Sequence, residues 1–157
     1  MKVIVGFLLR LLYLLLRVKW RITRPLFVGV RMILIQEEQV LLVRHTYQQQ
    51  WYFPGGAVKR GELMLEAAKR EAYEEAGITF LAEPTLLGVY TSFAEGKSDH
   101  ISTFYCTAFQ VGERPDRWDI AECRFFPLDA LPPDLSPACA RRLADYQAGN
   151  GPYVGAW

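Results

Sequence analysis

Residues 56–78 read GAVKRGELMLEAAKREAYEEAGI: a glycine turn, a helix pattern and a glycine stop in one run. The pattern predicts a helix over 62–76 that stops at Gly77. At about 100° per residue, Glu71, Glu74 and Glu75 fall within about a 100° arc. Leu65, Ala68, Ala72 and Ala76 cover the adjoining arc. That apolar arc is expected to pack on a sheet, with the carboxylates along its edge, between core and cleft. Carboxylates at such spacings repel one another. Arg70, four residues before Glu74, offsets part of that cost. A divalent cation would offset the rest, and oxygen-only ligands suit magnesium or manganese rather than zinc.

The flanks of this run have a different period. Gly55 and Gly56 lack a Cβ, so backbone there can approach a metal or phosphate, and Pro54 stiffens the entry. Strands are predicted over 27–35 and 40–43, joined by a turn at 37–39, with a short strand at 51–53. Three more are predicted over 85–93, 100–111 and 121–126. Ser136 and Pro137 open a last helix reaching about Gln147, and the glycine-rich tail from Gly149 is expected to be loosely ordered. This order predicts a mixed sheet covered by helices.

The first 24 residues stand apart. Val3 to Leu16 is apolar except for Arg10, and Arg17, Lys19, Arg21 and Arg24 follow. The run is shorter than the roughly 20 residues a spanning helix needs, and it lacks a cleavage site of signal-peptide type. Lys2, Gly6, Arg10, Tyr13 and Arg17 make one narrow polar stripe on a helix. The wide apolar face suits a membrane surface, its own domain, or a second copy in a homodimer. The chain thus divides into an N-terminal amphipathic helix (1–24), a main domain (25–148) and a tail (149–157).

Composition narrows the function. Among 157 residues, 51% are hydrophobic and 22% charged, which is globular. The net charge of +1 gives no argument for nucleic acid. Cys106, Cys123 and Cys139 are widely spaced and odd in number, which fits free thiols in a cytoplasmic protein better than disulfides or zinc.

The run 56–78 resembles the Nudix box, G-x5-E-x7-R-E-U-x-E-E-x-G-U, where U is a bulky aliphatic residue. Gly56, Glu62, Arg70, Glu71, Glu74, Glu75 and Gly77 match its fixed positions, and Ile78 its last aliphatic one. Ala72 is small for the first aliphatic position, a departure that bears on packing more than chemistry. Weaker likeness extends to Trp51–Gly56 and to Arg124–Leu128 with Leu131 and Pro132, so that it covers roughly 27–132.

The resemblance implies an α/β fold, an α/β/α sandwich with a mixed sheet. It implies attack of water on phosphorus in a nucleoside diphosphate linked to another group, or in a nucleoside triphosphate. By the same resemblance, Glu71, Glu74 and Glu75 would bind Mg2+, with Mn2+ as a substitute. One of them would help activate water, and the Gly55 carbonyl would be a further ligand. Arg70 would orient the glutamates, and Glu62 would support Arg70 and the loop.

Signals outside the box are weaker. Arg44, His45 and Trp51 are candidate substrate contacts, in or beside a loop at 44–50; a second candidate loop spans 94–99. A solvated strand-end histidine is the plainer reading of His45, and core packing the plainer reading of Trp51, Tyr52, Tyr90 and Tyr105. Asp99, His100, Asp119 and Glu122 are candidates for a base supplied from outside the box. The leading expectation is a cytoplasmic pyrophosphohydrolase, peripheral on the inner face of the membrane. A membrane-associated binding module that kept the fold without turnover is the alternative. An isomerase acting on an isoprenyl diphosphate is a third, more distant reading.

Overall fold

The computed structural model describes residues 2–115 and 118–157, and the side chains of all of these except 2–7, 10 and 95. In chain order its elements are α1 (Lys2–Thr23), β1 (Leu26–Gln36), β2 (Gln39–His45), α2 (Met64–Ala76), β3 (Ile78–Phe80) and β4 (Thr85–Ser92). They continue with β5 (Ser98–Cys106), β6 (Phe109–Val111), β7 (Ile120–Pro127), α3 (Pro137–Ala148) and β8 (Tyr153–Ala156). Six strands form one mixed sheet in the order β7-β2-β1-β5-β4-β8, and β3 pairs with β6 separately.

The long strand β1 organises the sheet. It pairs in parallel with β5, from Leu26 opposite Ser98 to Leu34 opposite Cys106, and antiparallel with β2. Alternation along a strand sends successive side chains to opposite faces. Val30, Met32 and Leu34 therefore meet Leu41 and Val43 under α2, against Ala67, Ala68, Ala72 and Ala76. Ile33 and Ile35 join Val40 and Leu42 on the other face, against Cys139 and Leu143 of α3. Both faces of the sheet are thus covered, which makes the α/β/α sandwich. The alanines of α2 let its backbone lie close to β1, and Ala72 is fully buried in that contact.

Several boundaries differ from expectation, each for a local reason. The helix of the box starts at Met64, not Glu62, because a Glu62 carboxylate oxygen accepts from the Lys59 N–H at 2.9 Å in the preceding turn. The strand expected over 100–111 divides into β5 and β6, and β6 turns away to pair with β3. Residues 51 and 52 make isolated bridges rather than a strand. The tail corrects the expectation of loose order. β8 extends the sheet in parallel beside β4, Trp157 N–H donates to the Thr91 carbonyl at 2.9 Å, and Trp157 stacks edge-on against Tyr90. Arg142 donates to the Ala156 carbonyl at 2.7 Å and Arg141 to that of Trp157 at 2.8 Å, so α3 clamps the strand.

The helix α1 leads into β1. Of its predicted polar stripe, the side chains of Lys2, Gly6 and Arg10 lie outside the described residues. Leu8, Leu11, Leu14, Leu15, Val18 and Ile22 of α1 are exposed. Among the described residues, no helix is long and apolar enough to cross a membrane.

Candidate active site

Two segments meet where α2 runs along β1: the glycine turn at 55–56 and the carboxylate face of the helix. The Gly55 N–H donates to Glu75 Oε2 at 2.9 Å. A Cβ on Gly56 would stand 2.6 Å from Glu71 Oε1, so glycine there is what allows the carboxylate to lie against the turn. At Gly55 a Cβ would stand 2.1 Å from the Val30 carbonyl oxygen, a contact that backbone cannot relieve. Glu71 and Glu75 are 7% and 2% exposed, whereas the side chain of Glu74 is 31% exposed.

Arg70 ties this face together. Its guanidinium holds Glu62 in a two-point contact, Nε to Oε1 at 2.7 Å and Nη2 to Oε2 at 3.0 Å. Its Nη1 donates to Glu71 at 2.6 Å and to Glu74 at a long 3.5 Å, and Nη2 reaches the Ala57 carbonyl at 3.1 Å. Planar two-point pairing of this kind fixes orientation as well as charge. The Arg70 hydrogen bonds hold the Glu62 carboxyl down at about 2, with the Lys59 N–H adding to the effect. The same pairing with Glu62 raises the guanidinium's own pKa. Gly77 ends the helix in the left-handed conformation, at φ 69°, and its N–H caps the Tyr73 carbonyl at 2.8 Å.

A cleft of about 800 Å³ opens over this edge. Glu71, Glu75, Gly55 and Gly56 line it, and Glu74 stands outside the lining. His45 lines it too and is buried, not a solvated strand-end residue, with its ring stacked 5.1 Å from that of Tyr47. Donor atoms of His45, Glu75 and Asp119 lie within 4.8 Å of one another.

The other predicted contacts fall elsewhere. Trp51 is 4% exposed and packs on Phe126 in the core under α3, and Arg44 sits over its ring at 5.0 Å while pairing with Glu122. Neither Arg44 nor Trp51 lines the cleft: Trp51 belongs to the core cluster with Cys139 and Leu143, and Arg44 is held over its ring and against Glu122. Asp99 and Asp119 line the cleft; His100 does not, and lies beside Ser98 and Thr91.

One contact was not anticipated: Arg31 Nη1 donates to the Gly55 carbonyl at 2.7 Å. It places a cation on the oxygen that the resemblance makes a metal ligand, leaving one of two lone pairs. A lone arginine in the apolar strand LFVGVRMILIQ was the available signal. The five residues of α1 that line the cleft were also unforeseen, since they lie outside the box.

A model of the NUDIX domain family matches residues 25–146. The chain belongs to the Nudix hydrolase family. An ADP-ribose pyrophosphatase of Methanocaldococcus jannaschii is 32% identical over 118 residues, covering 73% of this chain and 69% of that protein. An 8-oxo-dGDP phosphatase of Mus musculus is 37% identical over 67 residues, and the match spans 40% of this chain but only 20% of that longer protein. Among solved structures, the MutT NUDIX hydrolase from Burkholderia pseudomallei superposes with a TM-score of 0.68 at 28% identity, covering 76% of this chain and 97% of that one. Nudix hydrolases act with a divalent metal on small nucleotide-like substrates. The donor set here fits such an ion: two buried carboxylates share one face with a third, and all their donors are oxygen.

Proposed function

We propose that this Nudix protein is a magnesium-dependent pyrophosphohydrolase. It cleaves the anhydride of a nucleoside diphosphate linked to a second group, or of a nucleoside triphosphate. The observation that carries this reading is the pair Glu71 and Glu75, buried at the cleft against the Gly55–Gly56 turn. Glu71, Glu74 and Glu75 hold the ion, and Gly55 has one carbonyl lone pair left to add. Magnesium, with manganese as substitute, supplies Lewis-acid polarisation of the phosphoryl oxygens and charge neutralisation when bound.

The residues themselves do the positioning. Arg70 orients Glu71 and, through Glu62, ties the helix to the preceding turn. Arg31 fixes the Gly55 carbonyl. Glu75, His45 and Asp119, whose donor atoms lie within 4.8 Å of one another at the cleft, are suited to orienting water for attack at phosphorus.

The test is phosphate release from nucleotides and nucleotide sugars, with and without magnesium, using coupled phosphatase or pyrophosphatase. Metal-dependent cleavage of any member supports the reading. Silence across the panel in folded protein would favour the alternative, a binding module without turnover.

We also place the protein in the cytoplasm, at the inner face of the membrane. Free Cys106, Cys123 and Cys139 support the compartment. The exposed leucines of α1, together with Arg17, Lys19, Arg21 and Arg24, support an anionic lipid surface. A second copy covering the same face is the competing outcome, and sedimentation without lipid would reveal it as a dimer.

A further inference from the structure

The Nudix match begins at residue 25, yet one wall of the cleft comes from before it. Leu9, Leu12, Tyr13, Leu16 and Trp20 of α1 line the cleft together with Phe27. Counted from Leu9 these residues stand at i, i+3, i+4, i+7 and i+11, so they form one stripe along about 16 Å of helix. The wall is seated rather than loosely apposed. The Tyr13 ring lies 5.6 Å from Tyr47, and Trp20 lies 5.4 Å from Phe27. The Lys97 ammonium stands 4.6 Å over the Trp20 ring while pairing with Asp99 at 2.9 Å. At Gly96 a Cβ would stand 2.8 Å from Arg21 Cα, so a glycine is needed for the loop to touch α1 this closely.

We infer that this stripe selects the second group of the substrate, and that the group is a hydrocarbon. The inference rests on the pyrophosphohydrolase reading of the same cleft. The Tyr13 and Trp20 rings are packed against Tyr47, Phe27 and Lys97, and the rest of the stripe, Leu9, Leu12 and Leu16, offers no partner for the polar edges of a sugar or a nucleobase. A stripe about 16 Å long also suits a chain better than a compact ring. The substrate is then a nucleoside diphosphate esterified to a lipid alcohol, with its anhydride at the carboxylates and its chain along α1. In the reaction, the oxygen of water bonds to one phosphorus and the bridging P–O bond to that phosphorus breaks. Nucleoside monophosphate and alkyl phosphate leave, and the protons of water pass to product oxygens and solvent.

The experiment uses the full chain with magnesium and nucleoside diphosphates esterified with ethyl, butyl, hexyl and octyl alcohols. Transfer of methylenes from water predicts a rise in kcat/KM of about three- to fourfold per buried methylene, roughly 100-fold from ethyl to hexyl. Leu16→Ser should flatten that slope. Leu12→Ser, at a position 52% exposed, should also flatten it and does not depend on core packing. Equal kcat/KM across the series would overturn the inference and leave the hydrolase reading standing. An undiminished slope in both variants, with native circular dichroism, would overturn the role of α1. No turnover of any ester, nucleotide or nucleotide sugar would remove the hydrolase reading and this inference with it.

Discussion

A methyl group at Gly56 would meet the far end of a flexible side chain, the Glu71 carboxylate, whereas one at Gly55 would meet the backbone of β1. The two substitutions should therefore separate site from fold. Gly56→Ala is expected to keep the circular dichroism spectrum while lowering kcat roughly 10- to 100-fold, by displacing one carboxylate. Gly55→Ala is expected to lower Tm as well, and a Tm equal to that of the parent would refute the close packing described. Glu75→Gln keeps its shape but loses its charge, and should lower turnover by roughly 10²-fold or more with the fold intact. Glu74→Gln should do the same, and near-normal rates for both variants would exclude this helix face from catalysis. Glu62 gives a pH signature. Its carboxyl sits at about 2, below its ordinary 4.5, so its pairing with Arg70 stabilises the fold fully above about 4.5. That contribution is lost as pH falls from there through about 2. In urea melts, the gap between the protein and Glu62→Gln should be wide near neutrality and narrow progressively on acidification.

Among the elements, α2 was the most legible. Its alanines, its glutamates and Gly77 each carry their meaning within a single turn of sequence, and the box register makes them mutually consistent. The strands were legible from apolar runs, but β5 and β6 were joined because nothing in the residues at 107–108 announces a change of partner. β8 was illegible for a different reason. Four residues, one of them Gly155, hold too little pattern, and the strand exists through its pairing with β4 and the arginines of α3. The half-buried Trp157 packs on Tyr90, so Trp157→Ala should cost about 2 kcal/mol. For a chain of this length, that is a fall in Tm of about 4–8 °C, readable by calorimetry. At the site, Glu71 and Glu75 were legible because they share a helix face. The meeting of His45, Asp119 and Arg31 with that face was not, since each comes from a distant part of the chain.

At the scale of the whole molecule, the exposed side of α1 and the basic residues that follow it predict binding to vesicles containing anionic lipid. Binding should weaken as salt screens the charges, while the apolar part persists. Failure of the full chain to co-sediment at low salt would dismiss the lipid surface. The inner side of the same helix has a different consequence, set by Trp20. Its indole is held between the Phe27 ring and the Lys97 ammonium at the cleft wall. The other three tryptophans are Trp51, buried under α3, Trp118, exposed beside Asp119, and Trp157, which rests on Tyr90 and also lines the cleft. The emission lost in Trp20→Phe therefore isolates one fluorophore, and its wavelength and quenching report whether the helix is seated on the enzyme. The protein carries its own optical gauge of an open or covered cleft.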